Sequence, residues 1–131
     1  AAEDAESGVE KIQAMAEAYV SFSREHYREF YFLHTFEGIV DRNLAETDES
    51  EFFGRLQRVK RIAVDAVETG MRDGTLRSDL DPELSATSFM IAADGFMHQL
   101  LTRALFIQKT TSYSKDELVD ELFRSLIRSL T

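Results

Sequence analysis

Apolar positions recur at helical spacing along most of this chain. Met15, Tyr19, Phe22 and His26 follow an i, i+4, i+7, i+11 stripe, with Ile12, Ala16 and Ser23 beside it. That period places them on one helix face. Ser7 and Glu10 stand at capping-box spacing ahead of the stripe, which predicts a helix from there to about His26. Residues 27 to about 40 form a second, aromatic-rich helical segment containing Phe30, Tyr31, Phe32, Leu33, His34, Phe36 and Ile39. This is more bulk than one core face accepts, so some of it packs on neighbours, lines a pocket or lies exposed. The polar stretch 41–50 reads as a loop. Asp48 and Glu51 can cap a third helix, whose apolar stripe is Phe52, Leu56, Val59, Ala63, Ala66 and Val67. Its other side mixes Arg55, Arg58, Arg61 and Arg72 with Asp65 and Glu68, the pattern of a solvated face rather than a nucleic-acid reader. Gly74 can close this helix in a left-handed conformation.

The stretch opening at Asp81-Pro82-Glu83 organises the rest. Asp81 is a good N-cap, Pro82 suits the first turn, and Glu83 favours the positive helix end. One helix is predicted from Pro82 to about Gln108, roughly 40 Å long. Phe89, Ala93, Phe96, Met97, Leu100, Ala104 and Ile107 share a broad apolar face. Leu84, Ser88, Ile91, Gly95, Thr102, Leu105 and Phe106 lie opposite, and Ser88, Gly95 and Thr102 recur every seven residues. A helix apolar on both sides is buried on both sides, so the second face predicts a partner helix, with small side chains allowing close approach. Ser114 and Glu117 form another capping box and start a last helix reaching about Leu130. Its wide apolar face holds Leu118, Val119, Leu122, Phe123, Leu126, Ile127 and Leu130. It pairs naturally with the second face of the 82–108 helix. No run alternates like a strand between turn signals, so the whole chain reads as all-α.

Composition narrows the function classes. With 15 basic and 24 acidic residues the formal charge is −9, which repels phosphate backbones and anionic headgroups. There is no cysteine, and no apolar run reaches the ~18 residues of a membrane span. The first residues lack the basic and apolar regions of a secretory signal. The default reading is a single soluble cytoplasmic domain over residues 1–131, which an excised fragment would share. Catalysis needs a nucleophile with its base, or a metal set, in one place. His26, His34 and His98 stand on three different helices, so no catalytic residue, metal site or cofactor is assigned. Asp94 and His98, spaced i, i+4, read as a structural pair at the edge of the partner face.

The joint ahead of the organising helix runs Gly70-Met71-Arg72-Asp73-Gly74-Thr75-Leu76-Arg77-Ser78-Asp79-Leu80-Asp81-Pro82. It resembles a joint in the C-terminal domains of tetracycline-repressor-type (TetR-family) regulators, where G-x-x-x-G-x-L-R and D-x-D-P precede a long helix carrying an Asp-Gly pair, here Asp94-Gly95. Ala16 to Phe22, with Glu25-His26, looks like that family's first effector-domain helix, with Tyr27 where a Pro is expected. The resemblance implies a five-helix, ligand-responsive domain of a transcriptional repressor, its last two helices forming a four-helix bundle in a homodimer. DNA would be contacted only through an upstream helix-turn-helix domain, which this chain does not supply. On the reading of faces above, the interface would hold Ser88, Ile91, Gly95, His98, Thr102, Leu105 and Phe106, with Val119, Leu122, Phe123, Leu126 and Leu130 from the last helix.

The inward faces supply the candidate pocket for a mostly apolar effector. Met15, Tyr19, Phe22, Phe30, Phe89, Ala93, Phe96 and Met97 offer apolar and aromatic walls, with His26 and His34 as sparse polar contacts. An ordinary packed core would use the same residues. A helical carrier or protein-interaction domain without a transcriptional role is the alternative function.

Overall fold

The computed structural model describes residues 6–35 and 51–131. They form six helices: α1 (Gly8–Glu25), α2 (Tyr27–Thr35), α3 (Glu51–Asp73), α4 (Pro82–Thr102), α5 (Ala104–Thr110) and α6 (Lys115–Arg128). Among the described residues there is no strand, so the fold class is all-α as expected. Both completed capping boxes are present, Ser7 with Glu10 and Ser114 with Glu117. Asp81 accepts from the Leu84 N–H at 3.1 Å, and Pro82 occupies the first turn of α4. Gly74 ends α3 at φ +82°, the left-handed conformation that glycine adopts without a Cβ penalty. The Asp48 cap, the end of the aromatic segment beyond residue 35 and the 41–50 loop lie outside the described residues.

One element differs from expectation. The helix predicted over 82–108 divides at Arg103, which has φ −121° and ψ 28°. The Thr102 hydroxyl donates to the His98 carbonyl at 2.8 Å, and such back-bonding bends helices. The turn stays hydrogen-bonded: the Arg103 N–H donates to the Gln99 carbonyl at 2.9 Å, and the Ile107 N–H to the Arg103 carbonyl at 3.0 Å. The connector to α6 therefore begins at Thr111 rather than at Lys109.

The core has two clusters. One gathers Ala16, Phe30, Ala93, Met97, Leu100, Leu101, Val119 and Phe123 from α1, α2, α4 and α6. The other gathers Ile12, Ala63, Ala66, Val67, Leu76, Ala86 and Leu130 around α1 and α3. Phe89 packs against both. This corrects the division of the last helix. Val119, Phe123 and Leu130, assigned above to a partner, are buried in the chain's own core because α6 lies against α4 of the same chain. Leu122 and Leu126 are half-buried.

The α3–α4 joint fixes the start of α1. Asp73 Oδ2 accepts from the Gly8 N–H at 2.8 Å, and Thr75 Oγ1 accepts from the Val9 N–H at 3.2 Å. Two of the N–H groups that a helix start leaves unpaired are thus met by residues 65 and 66 positions away. Asp73 Oδ1 accepts from both the hydroxyl and the N–H of Thr75. The Arg77 N–H donates to the Leu130 carbonyl at 2.9 Å, so the same joint holds the end of the chain.

The Thr75 hydroxyl first, then the N–H groups of Thr75 and Gly8, hold the Asp73 carboxyl below its ordinary pKa. A depressed carboxyl stabilises the fold above its unfolded pKa, about 3.9, and loses that contribution as pH falls through the folded value. Asp73→Ala should therefore flatten the acid limb of the stability–pH curve. It should also speed hydrogen exchange at Gly8 and Val9 at neutral pH. Unchanged exchange there would mean that Asp73 does not cap α1.

Candidate functional site

Two regions draw on the residues singled out in the sequence. The first is the aromatic interior between α1, α2, α4 and α6. The Tyr19 ring meets Phe30 edge-on at 5.5 Å between centroids and Phe123 at 6.3 Å. Phe22 meets Phe30 at 6.3 Å and His26 at 4.9 Å, and Phe89 meets Phe123 at 6.3 Å. These are ordinary contact separations for aromatic pairs, so the rings largely fill the space between the helices. Ala93 and Met97 are buried in the same cluster, and Phe96 is half-buried. Met15 instead packs into the second cluster. His26 is exposed at the end of α1, and the side chain of His34 lies outside the described residues. The structure thus brings together Tyr19, Phe30, Phe89, Ala93 and Met97, while Phe22, 46% exposed, touches Phe30 only from the outside.

The polar contact in this region was not visible in the sequence. The Tyr19 hydroxyl donates to Asp94 Oδ1 at 2.5 Å, joining α1 to α4. Spacing along α4 offers only a neighbour on the same helix, His98, as a partner for Asp94. A partner 75 positions away leaves no local signal.

The second region is the outward side of α4 and α5. Leu84 is 66% exposed, Ile91 68%, Leu105 75% and Phe106 63%. Ser88, Gly95 and Thr102 are exposed among them, and His98 is half-buried. Among the described residues a methyl group added at Gly95 would meet no atom within 4 Å beyond its own helix. Ala93, Met97 and Leu100 point the other way, into the core. The two-sided character read from the sequence is therefore real, and the described residues cover only one side.

Two open grooves flank that face. One of about 240 Å³ lies between α3 and α4, lined by Lys60, Thr87, Met90, Ile91 and Asp94. The other, of about 510 Å³, lies at the α4–α5 break, lined by Tyr31, Leu101, Thr102, Arg103, Ala104, Leu105 and Phe106. Neither is lined by the interior residues picked for an effector. Lys60 pairs with Glu83 at 3.0 Å beside the first groove, and Arg24 pairs with Asp116 at 2.9 Å between α1 and α6. Both pairs are exposed, and such pairs contribute at most about 1 kcal/mol.

Among the described residues no three His, Cys, Asp or Glu side chains cluster as metal ligands. No helix among them is long and apolar enough to cross a membrane. Compared with protein-family models, curated proteins and solved structures, the chain matches none of them. The functional reading therefore stands on the geometry and on the residues that carry it.

Proposed function

We propose that this chain is the ligand-responsive dimerisation domain of a TetR-like transcriptional repressor, acting on DNA through an upstream domain. The observation that carries this reading is the outward apolar side of α4 and α5, where Leu84, Ile91, Leu105 and Phe106 stand exposed beside Ser88, Gly95 and Thr102. Such a face fits a second helix pair better than it fits water. With Val119 and Phe123 in the core and Leu122 and Leu126 packed half-buried against it, this surface is dominated by α4 and α5. The joint supports the same reading. Gly74 takes the left-handed turn, Leu76 is buried against Gly70, and Asp81-Pro82 restarts the helix.

The effector is a mostly apolar small molecule, and its site is the aromatic interior around Tyr19, Phe30, Ala93 and Met97. The rings there already touch, so binding works by repacking a soft core rather than by entering a ready void, and Met97 and Phe89 are the adaptable walls. Signalling then requires the ligand to prefer one arrangement of α1 and α3 over another. A thermal-shift screen of apolar metabolites tests this. A compound at a hundredfold excess over its Kd should add about 2.7 kcal/mol to the folded state. Ala93→Phe, which adds a ring beside Met97 and takes up the room that repacking needs, should abolish that gain. A hit whose affinity survives the substitution would place the effector elsewhere.

A further inference from the structure

We propose that the groove at the α4–α5 break binds an anionic amphiphile, a medium-chain carboxylate, and that its occupation opposes dimerisation; the second half rests on the dimer reading above. The groove, of about 510 Å³, is in the size range of small-molecule sites. Leu101, Leu105 and Phe106 give it apolar walls, and Tyr31 of α2 closes one side. Among the described residues Arg103 is the one charged residue in the lining. Among the described residues its guanidinium forms no ion pair. An unpaired guanidinium on an apolar floor, in a chain of charge −9, is poorly matched to its surroundings. A carboxylate matches it, because the planar fork can donate two parallel hydrogen bonds to it. The Thr102 hydroxyl is already committed to the His98 carbonyl, so Arg103 and the Tyr31 phenol are the donors left for the head group. The hydrocarbon tail then lies along Leu105 and Phe106.

Leu105 and Phe106 also belong to the face a second copy would cover. One set of side chains cannot be buried against both, so ligand and partner compete, and each weakens the other by the same factor.

The test compares octanoate with octanol, which share a tail and differ in charge. Calorimetric titration of the whole chain should show octanoate binding about tenfold tighter or better, the scale of one charge-assisted contact. Arg103→Gln, at an exposed position, should erase the preference without changing the circular dichroism. Octanoate, but not octanol, should also move the sedimenting species from dimer towards monomer. Equal affinity for the two compounds, or a preference that survives Arg103→Gln, overturns the site. Octanoate binding with an unaltered dimer overturns the competition. A monomer before any ligand is added sinks the dimer reading, and the binding comparison still decides the site.

Discussion

Gly8→Ala is expected to cost the fold about 3 kcal/mol, the upper end of ordinary overpacking. A Cβ at Gly8 would overlap the backbone of Gly70 and the Ala66 carbonyl. Backbone atoms cannot swing aside as a side-chain tip can, so α1 and α3 would have to separate. That separation would also pull Gly8 and Val9 away from Asp73 and Thr75, whose hydrogen bonds cap the helix. Ile12, Ala66 and Val67 would lose part of their shared burial. In a thermal melt the midpoint should fall by about ten degrees or more. Gly54→Ala is the control. Among the described residues a Cβ there meets only the Arg58 guanidinium one turn along the same helix, at 3.7 Å. An alanine in that helical position should raise stability by up to about 1 kcal/mol. Equal midpoints for Gly8→Ala and the unaltered chain would show that the two helices do not touch through these glycines.

What could be read from the sequence was local chemistry. The boxes at Ser7 and Ser114, the cap at Asp81-Pro82 and the turn at Gly74 each rest on residues within a few positions of one another, and each is present. The two faces of the organising helix were legible because helical period alone separates Ala93, Met97 and Leu100 from Leu84, Ile91 and Leu105. The break at Arg103 was not legible. It involves neither Pro nor Gly, and the Thr102 back-bond to His98 that accompanies it leaves no mark in the hydrophobic period. Nor could period show how α6 divides its wide apolar stripe. Val119 and Phe123 turn to the chain's own core, and only their packing against α4 and the aromatic rings decides that. The same limit applies to the effector site. A stripe of Met, Phe and Tyr reads alike whether its rings enclose a void or, as Tyr19 and Phe30 do, touch.

Gly95→Leu is expected to weaken dimerisation about a hundredfold or more, roughly 3 kcal/mol, while leaving the folded protomer no less stable. The two halves of this expectation come from one observation. Gly95 sits inside α4 without a positive φ, and among the described residues a Cβ there would meet nothing within 4 Å beyond the helix itself. A glycine in a helix interior costs about 1 kcal/mol relative to alanine, and among the described residues neither a turn nor a close contact accounts for accepting that cost. Close approach of something outside the chain does. Ser88 and Thr102 stand seven residues to either side, so the small side chains form a row along the helix. Leu84, Ile91 and Leu105 keep the same seven-residue spacing, or a multiple of it, and form a row of bulk beside the first. A face with one large row and one small row is complementary to a copy of itself, as a twofold interface requires. Leucine at Gly95 fills the small row at its middle and holds the two helices apart. The rest of an interface of roughly standard size, about 1,600 Å² in total, then loses its contacts along with the centre. Sedimentation equilibrium gives the association constant, and urea melts at low concentration give the stability of the protomer. Gly95→Ala should show the same direction on a smaller scale, with a gain in protomer stability of up to about 1 kcal/mol. If Gly95→Leu and the unaltered chain associate equally well, the outward face of α4 is not where two copies meet.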